Sequence, residues 1–296
     1  MGIVRVTIAA FQTSIFLVVC GLGLKTDLGD VLFLFQRRSL LARSLLAMNV
    51  AMPLLAMLIT IAFDLPVPVQ VALLFMALSP VPSLLPPRQD RAGGTSGYAC
   101  GLLFIEAFLS ILLVPVTVML LAGIFHRDLA VPLPLVIKVL LMTVLLPLGA
   151  GMLIRRFART HADRLKELVS AAGSFLLFVS GALLLLLTLP VVIHMIGNGT
   201  VLALAGFVIG GMVIGHWAGG PEHADRTTLA LVTAARHPGV AISISGAAFP
   251  AQRKAIAAVV VLYLLTKVVI LIPYNAWRKR TRPLVHNRNL QSDSVA

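Results

Sequence analysis

The chain has 296 residues, of which 59% are hydrophobic and only 12% charged, with a formal net charge of +13; an ordinary soluble domain carries about 25% charged residues. A mean hydropathy of +0.99 leaves too few polar side chains to cover a water-soluble globule, which excludes disorder and most soluble folds and makes lipid the solvent. The excess of Lys and Arg, which in a soluble protein would point to nucleic acid, reads here as loop charge on one membrane face, so no nucleic-acid partner is expected.

Taken in chain order, nine apolar stretches reach or approach the length of about 20 helical residues that crosses a bilayer. They cover 3–24, 39–63, 67–87, 95–124, 131–154, 168–194, 200–217, 227–249 and 255–277. The connections are short, so the expectation is one all-α, polytopic transmembrane domain over residues 1–277. A basic, disordered cytoplasmic tail is expected over 278–296, opening on Arg278, Lys279 and Arg280. The first stretch follows Arg5 as a signal peptide would, but no A-x-A site comes after it, and it is read as a retained helix. Cys20 and Cys100 sit inside apolar runs and read as packing residues.

Basic residues set the orientation. With the N-terminus outside, Lys25, Arg37, Arg38, Arg43, Arg88, Arg91, Arg155, Arg156, Arg159, Arg164, Lys166 and Arg226 fall inside with the basic tail, and Arg5, Arg127, Arg253 and Lys254 outside. The positive-inside rule then places the N-terminus out and the C-terminus in the cytoplasm of a multi-pass membrane protein.

Two stretches are interrupted. The third ends in Ser79-Pro80-Val81-Pro82-Ser83-Leu84-Leu85-Pro86-Pro87, where prolines strip the backbone of donors; the eighth is cut by Arg236-His237-Pro238-Gly239. Non-helical backbone inside a bilayer survives only where protein or a water-filled cavity surrounds it. Segments 80–87 and 236–239 are therefore expected to face each other near the bilayer centre. At an offset of 158, Ala72-Leu73 through Ser79-Pro80 aligns with Ala230-Leu231 through His237-Pro238, and Pro115 falls on Pro273. An odd number of spans separates the aligned elements, which describes an inverted repeat with paired broken helices, the sequence pointer to a secondary transporter.

Those residues, with Gly21-Leu22-Gly23-Leu24 and Met52-Pro53-Leu54-Leu55-Ala56, resemble the bile acid:sodium symporter family over almost the whole chain. The resemblance implies a ten-helix fold, or nine when the first helix is absent, in which a core with two crossed broken helices rocks against a panel. It also implies sodium ligands that this chain replaces. Ser79-Pro80-Val81-Pro82 stands where the family has Cys-Pro-Gly-Gly. His237, Ala241 and Ile242 stand where it has the glutamate, glutamine and asparagine of its second break. Sodium wants a cage of oxygens, so sodium dependence should be weak at most, with a proton on Glu106 or His237 as the alternative drive.

The candidate binding residues are Ser79, Pro80, Ser83, Ser96, Glu106, Thr233, Arg236, His237, Gly239 and Ser243. Arg236 is read either as a cap on carbonyls freed by Pro238 or as a fork for a substrate anion. Glu106 is read as proton carrier, as partner of Arg236, or as a structural acid. Lys138 and Lys267 are placed near span ends, where they snorkel or pair; Gln12 and Asn49 are read as interhelical contacts. With no P-loop, dinucleotide fingerprint, metal-ligand cluster or nucleophile elbow, neither an enzyme nor a cofactor is expected. The leading expectation is alternating-access transport of a small organic anion coupled to Na+ or H+. The other reading is an uncoupled channel or facilitator for a small solute.

Overall fold

The computed structural model describes residues 2–26, 28–82, 94–125, 133–197 and 199–281. Every regular element in them is helical. The long helices are α1 (Gly2–Gly23), α3 (Arg38–Ala62), α5 (Ser96–Phe125), α6 (133–157), α7 (Arg159–Met195), α8 (Thr200–Ala218) and α11 (Arg253–Arg280). Between them lie the short α2 (Leu28–Gln36), α4 (Val67–Leu78), α9 (His223–Ala234) and α10 (Pro238–Ala248).

Among the described residues, seven helical segments are long and apolar enough to cross a membrane. The two stretches expected to be interrupted are not among them. The third is described as α4 and an irregular run to Pro82, its remainder 83–87 lying outside the described residues; the eighth is the pair α9 and α10. Side chains such as Phe157, Trp217, Phe175 and Met119 point outward, an apolar surface that suits lipid and not water.

Proline chemistry sets the irregularities. Ser79, held extended because it precedes Pro80, ends α4 with φ −77 and ψ 145. The second interruption is shifted from the expected 236–239: Ala235, Arg236 and His237 are non-helical, while Pro238 and Gly239 open α10. Proline is well placed there, since the first residue of a helix needs no N–H partner and its φ is already helical. In α3 and α6 the response is milder. A π turn at Ala47–Ala51 precedes Pro53, and another at Leu141–Leu145 precedes Pro147, the widened ladder accommodating the crowding and the missing donor of the proline.

Helix α11 also runs past its expected end. Arg278 is buried, with Nε donating to Thr227 Oγ1 at 2.8 Å and Nη2 to the His223 carbonyl at 2.7 Å, so the first residues assigned to a disordered tail belong to the helix; residues 282–296 lie outside the described residues. Similar contacts gather the basic segments at one end of the bundle. Arg37 pairs with Asp225 at 2.9 Å, Arg43 packs on Gly220, and Arg155 donates to the Leu24 carbonyl at 3.0 Å.

Packing divides the helices into groups. Helix α1 lies mainly against α6 and α7, while α8 lies against α9 and α4 against α3, α10 and α11; α7 meets α11 between the two sets. At the α8–α9 contact the backbones come close together. Gly211, Gly215 and Gly219 form a small-residue stripe on which the α9 backbone rests, and a Cβ on Gly215 would stand 2.7 Å from the Ala230 Cα as well as against the Leu229 carbonyl. Gly215→Leu should therefore force the pair apart and destabilise the protein by about 1–3 kcal/mol, read as a lower melting temperature of the purified protein in detergent.

Candidate functional site

The two interruptions touch. The His237 N–H donates to the Pro80 carbonyl at 3.1 Å and to Ser79 Oγ at 3.0 Å, joining the two residues aligned at the offset of 158. Other groups freed by the breaks are met by side chains from neighbouring helices. The Tyr263 hydroxyl donates to the Ala234 carbonyl at 2.8 Å and accepts the Arg236 N–H at 3.0 Å, so one phenol on α11 spans the end of α9. The His237 side chain caps α10, its Nδ1 accepting from the Val240 N–H at 3.3 Å. An accepting Nδ1 places the hydrogen of the neutral ring on Nε2.

Arg236 is 1% exposed. Its Nη1 donates to the Ser79 carbonyl at 3.2 Å and its Nη2 to the Met48 carbonyl in the π turn of α3 at 2.8 Å, while Nε has no partner among the described residues. The same π turn carries Asn49, which donates to Glu106 Oε1 at 2.8 Å. Glu106 is also 1% exposed and attracts Arg236 without an ion-pair contact. The structure thus brings Arg236, Glu106, Asn49 and Ser79 into one buried network and makes Arg236 a donor to carbonyls.

Beside this network opens a cavity of about 670 Å³ between α1, α7 and α11, with the second break as its floor. Phe11, Ile15, Leu177, Phe178, Leu264 and Val268 make most of its wall apolar; His237, Lys267 and Asn275 supply the polar lining. Arg236 and Glu106 are not on the wall. Lys267 corrects the expectation of a residue near a span end. Because α11 extends from Arg253 to Arg280, Lys267 stands about 20 Å from either end of its helix. Its Nζ lies 5.5 Å from the centre of the Tyr263 ring. Asn275 Oδ1 is buried without a hydrogen-bond partner among the described residues.

The other expected site residues are dispersed. Thr233 is buried at the α8–α9 contact, its hydroxyl on the Gly211 carbonyl at 2.6 Å. Ser243 accepts from Gln12 Nε2 at 2.9 Å, linking α1 to α10. Gly239 lies under Ile15 of α1. Pro80 contributes its carbonyl to the crossing. Ser83 is outside the described residues, and Ser96 is placed only as the first residue of α5. Tyr263, Met48 and Asn275 were not among the expected residues. A lone tyrosine or asparagine in a spanning helix was the available signal, since a polar group at that depth needs a partner; the Met48 carbonyl had none, because its availability comes from the π turn.

Outward apolar helices, two touching interruptions and a half-open cavity beside them suit a multi-pass helical membrane protein of the transporter class. The chain belongs to the Sodium Bile acid symporter family, whose match covers residues 13–205. Comparison with curated proteins gives no significant match. The family match ends before α9 and α10, so the Arg236-His237-Pro238 break lies beyond it.

Tyr263→Phe removes one hydroxyl and strands a donor and an acceptor. Stability should fall by about 1–3 kcal/mol for each group left unpaired, measured as a drop in melting temperature; Phe occupies the same volume, so packing alone predicts almost no change.

Proposed function

We propose that this chain is a secondary active transporter that carries an organic anion with a substantial apolar body, by alternating access, across a bacterial inner membrane with its C-terminus in the cytoplasm. The observation that carries the reading is the cavity: about 670 Å³, mostly apolar, with Lys267 and two further polar side chains on its wall. An ammonium on a wall made mostly of Leu, Phe and Val suits a molecule with one anionic group and a greasy remainder. His237 and Asn275 add two polar side chains to the same wall.

Several features support the finer architecture. The contact between Ser79 and His237, aligned at the offset of 158, suits a two-fold axis between inverted repeats. With the two interrupted passages added to the seven long segments, nine crossings accord with an odd count and termini on opposite sides. The basic segments gathered at one end suit the cytoplasmic face.

Binding is the direct test. Lys267→Gln should weaken a bound carboxylate or sulfonate amphiphile about tenfold or more, the equivalent of a lost charge-assisted bond, and Lys267→Arg should retain most of the affinity. Calorimetry on purified protein with a panel of such anions reads both. Unchanged affinity in Lys267→Gln would remove the lysine from the site, and binding of neutral analogues with equal strength would remove the anion.

For coupling we propose a proton carried by Glu106, the buried acid held by Asn49 beside the crossing. Its protonation would cancel the negative charge that faces Arg236 and so bias the core between two states. Uptake into proteoliposomes should rise with an imposed inward proton gradient and lose that response in Glu106→Gln, whereas a facilitator would equilibrate its solute regardless of gradient.

A further inference from the structure

We propose that Arg236 is a tethered cation: its guanidinium holds, as a fixed part of the chain, the main-chain oxygens at the crossing that a dissolved sodium ion would otherwise occupy. A carbonyl at the end of a half-helix and one freed by irregular helix are the groups that coordinate small cations in broken-helix transporters. Here they are the Ser79 carbonyl, at the end of α4, and the Met48 carbonyl, in the π turn of α3, and both accept from Arg236 at 3.2 and 2.8 Å. A carboxylate, Glu106, is held nearby by Asn49 of the same turn. Two carbonyls and an acid make a hard, oxygen-rich site of the kind sodium favours.

The sodium that the family implies does not fit this arrangement, because a permanent positive charge already fills it. Guanidinium stays protonated at any physiological pH and cannot leave. Arg236 is 1% exposed and off the cavity wall, which separates it from the ligand-facing Lys267. Charge balance at the crossing is thereby independent of sodium on either side of the membrane. This inference stands on the crossing alone and does not require the substrate to be known.

The test uses purified full-length protein in detergent, its melting temperature followed as NaCl replaces choline chloride at constant ionic strength. The native protein should show no saturable sodium response. Arg236→Ala vacates the site, so it should melt lower and regain a few degrees, saturably, with sodium or with millimolar methylguanidine. Adding Glu106→Gln to that variant should abolish the sodium response. Arg236→Lys keeps the charge and should remain sodium-insensitive, which preserves a readout if the alanine variant does not fold. Saturable stabilisation of the native or the lysine protein by sodium would overturn the proposal. So would an alanine variant that folds, ignores sodium and methylguanidine, and loses only anion affinity; that result would return the guanidinium to the substrate.

Discussion

Backbone hydrogen bonding in lipid governs this structure. A free N–H or C=O in hydrocarbon costs several kcal/mol, and the two interruptions expose such groups in the middle of the bundle. Three helices and the second break itself answer them: α3 offers an acceptor at Met48, α4 supplies Ser79, α11 supplies Tyr263, and the break supplies its own Arg236 and His237. Several of these residues serve more than one group. Tyr263 pairs Ala234 with Arg236, and Ser79 lends its hydroxyl to His237 and its carbonyl to Arg236. The irregular backbone exists because the surrounding helices are complete, and the same bonds fix where those helices can sit.

Prolines made the interruptions legible in the sequence. Pro80 and Pro82 mark the end of α4 directly, since a proline strips donors and restrains the residue before it. At the second break the same rule was ambiguous, because Pro238 ends one segment while being a good first residue for the next, and the non-helical stretch falls one residue earlier than expected. Lys267 was misplaced for a different reason. The expected 255–277 stretch already held it 12 and 10 residues from its ends, and α11 adds only two residues before that stretch and three after it, so the bounds themselves carried the lysine's central place. The short α2 carries too few residues to register as a span.

Arg236 shows the limit of reading roles from side chains. Its charge and depth singled it out, yet its partners are the carbonyls of Ser79 and Met48, and carbonyls carry no sequence signal. The Met48 carbonyl is available because α3 widens ahead of Pro53. A fork that suits a substrate carboxylate also suits two oxygens on different helices; geometry, not residue type, separates the uses. Lys267, a compact charge on a flexible stem, takes the position that faces open space.

The distribution of bonds also indicates where the proposed transport cycle has room to move. Arg236, Tyr263 and His237 tie α3, α4, α9, α10 and α11 together through buried polar contacts, each costly to break in a medium of low dielectric. The cavity wall between these helices and the α1–α7 pair is mostly apolar, and apolar surfaces can slide with little change in energy when one methyl replaces another. Gln12 to Ser243 crosses that boundary as a single neutral hydrogen bond, worth about 1 kcal/mol net. A motion that opened the crossing would have to break several polar contacts at once, whereas one that shifted α1 and α7 across the cavity would exchange the Gln12–Ser243 bond and repack leucines. In the proposed cycle the low-energy path would run along the cavity, so a ligand seated there would contact both moving parts, and its differential contacts with the two arrangements would bias the equilibrium between them.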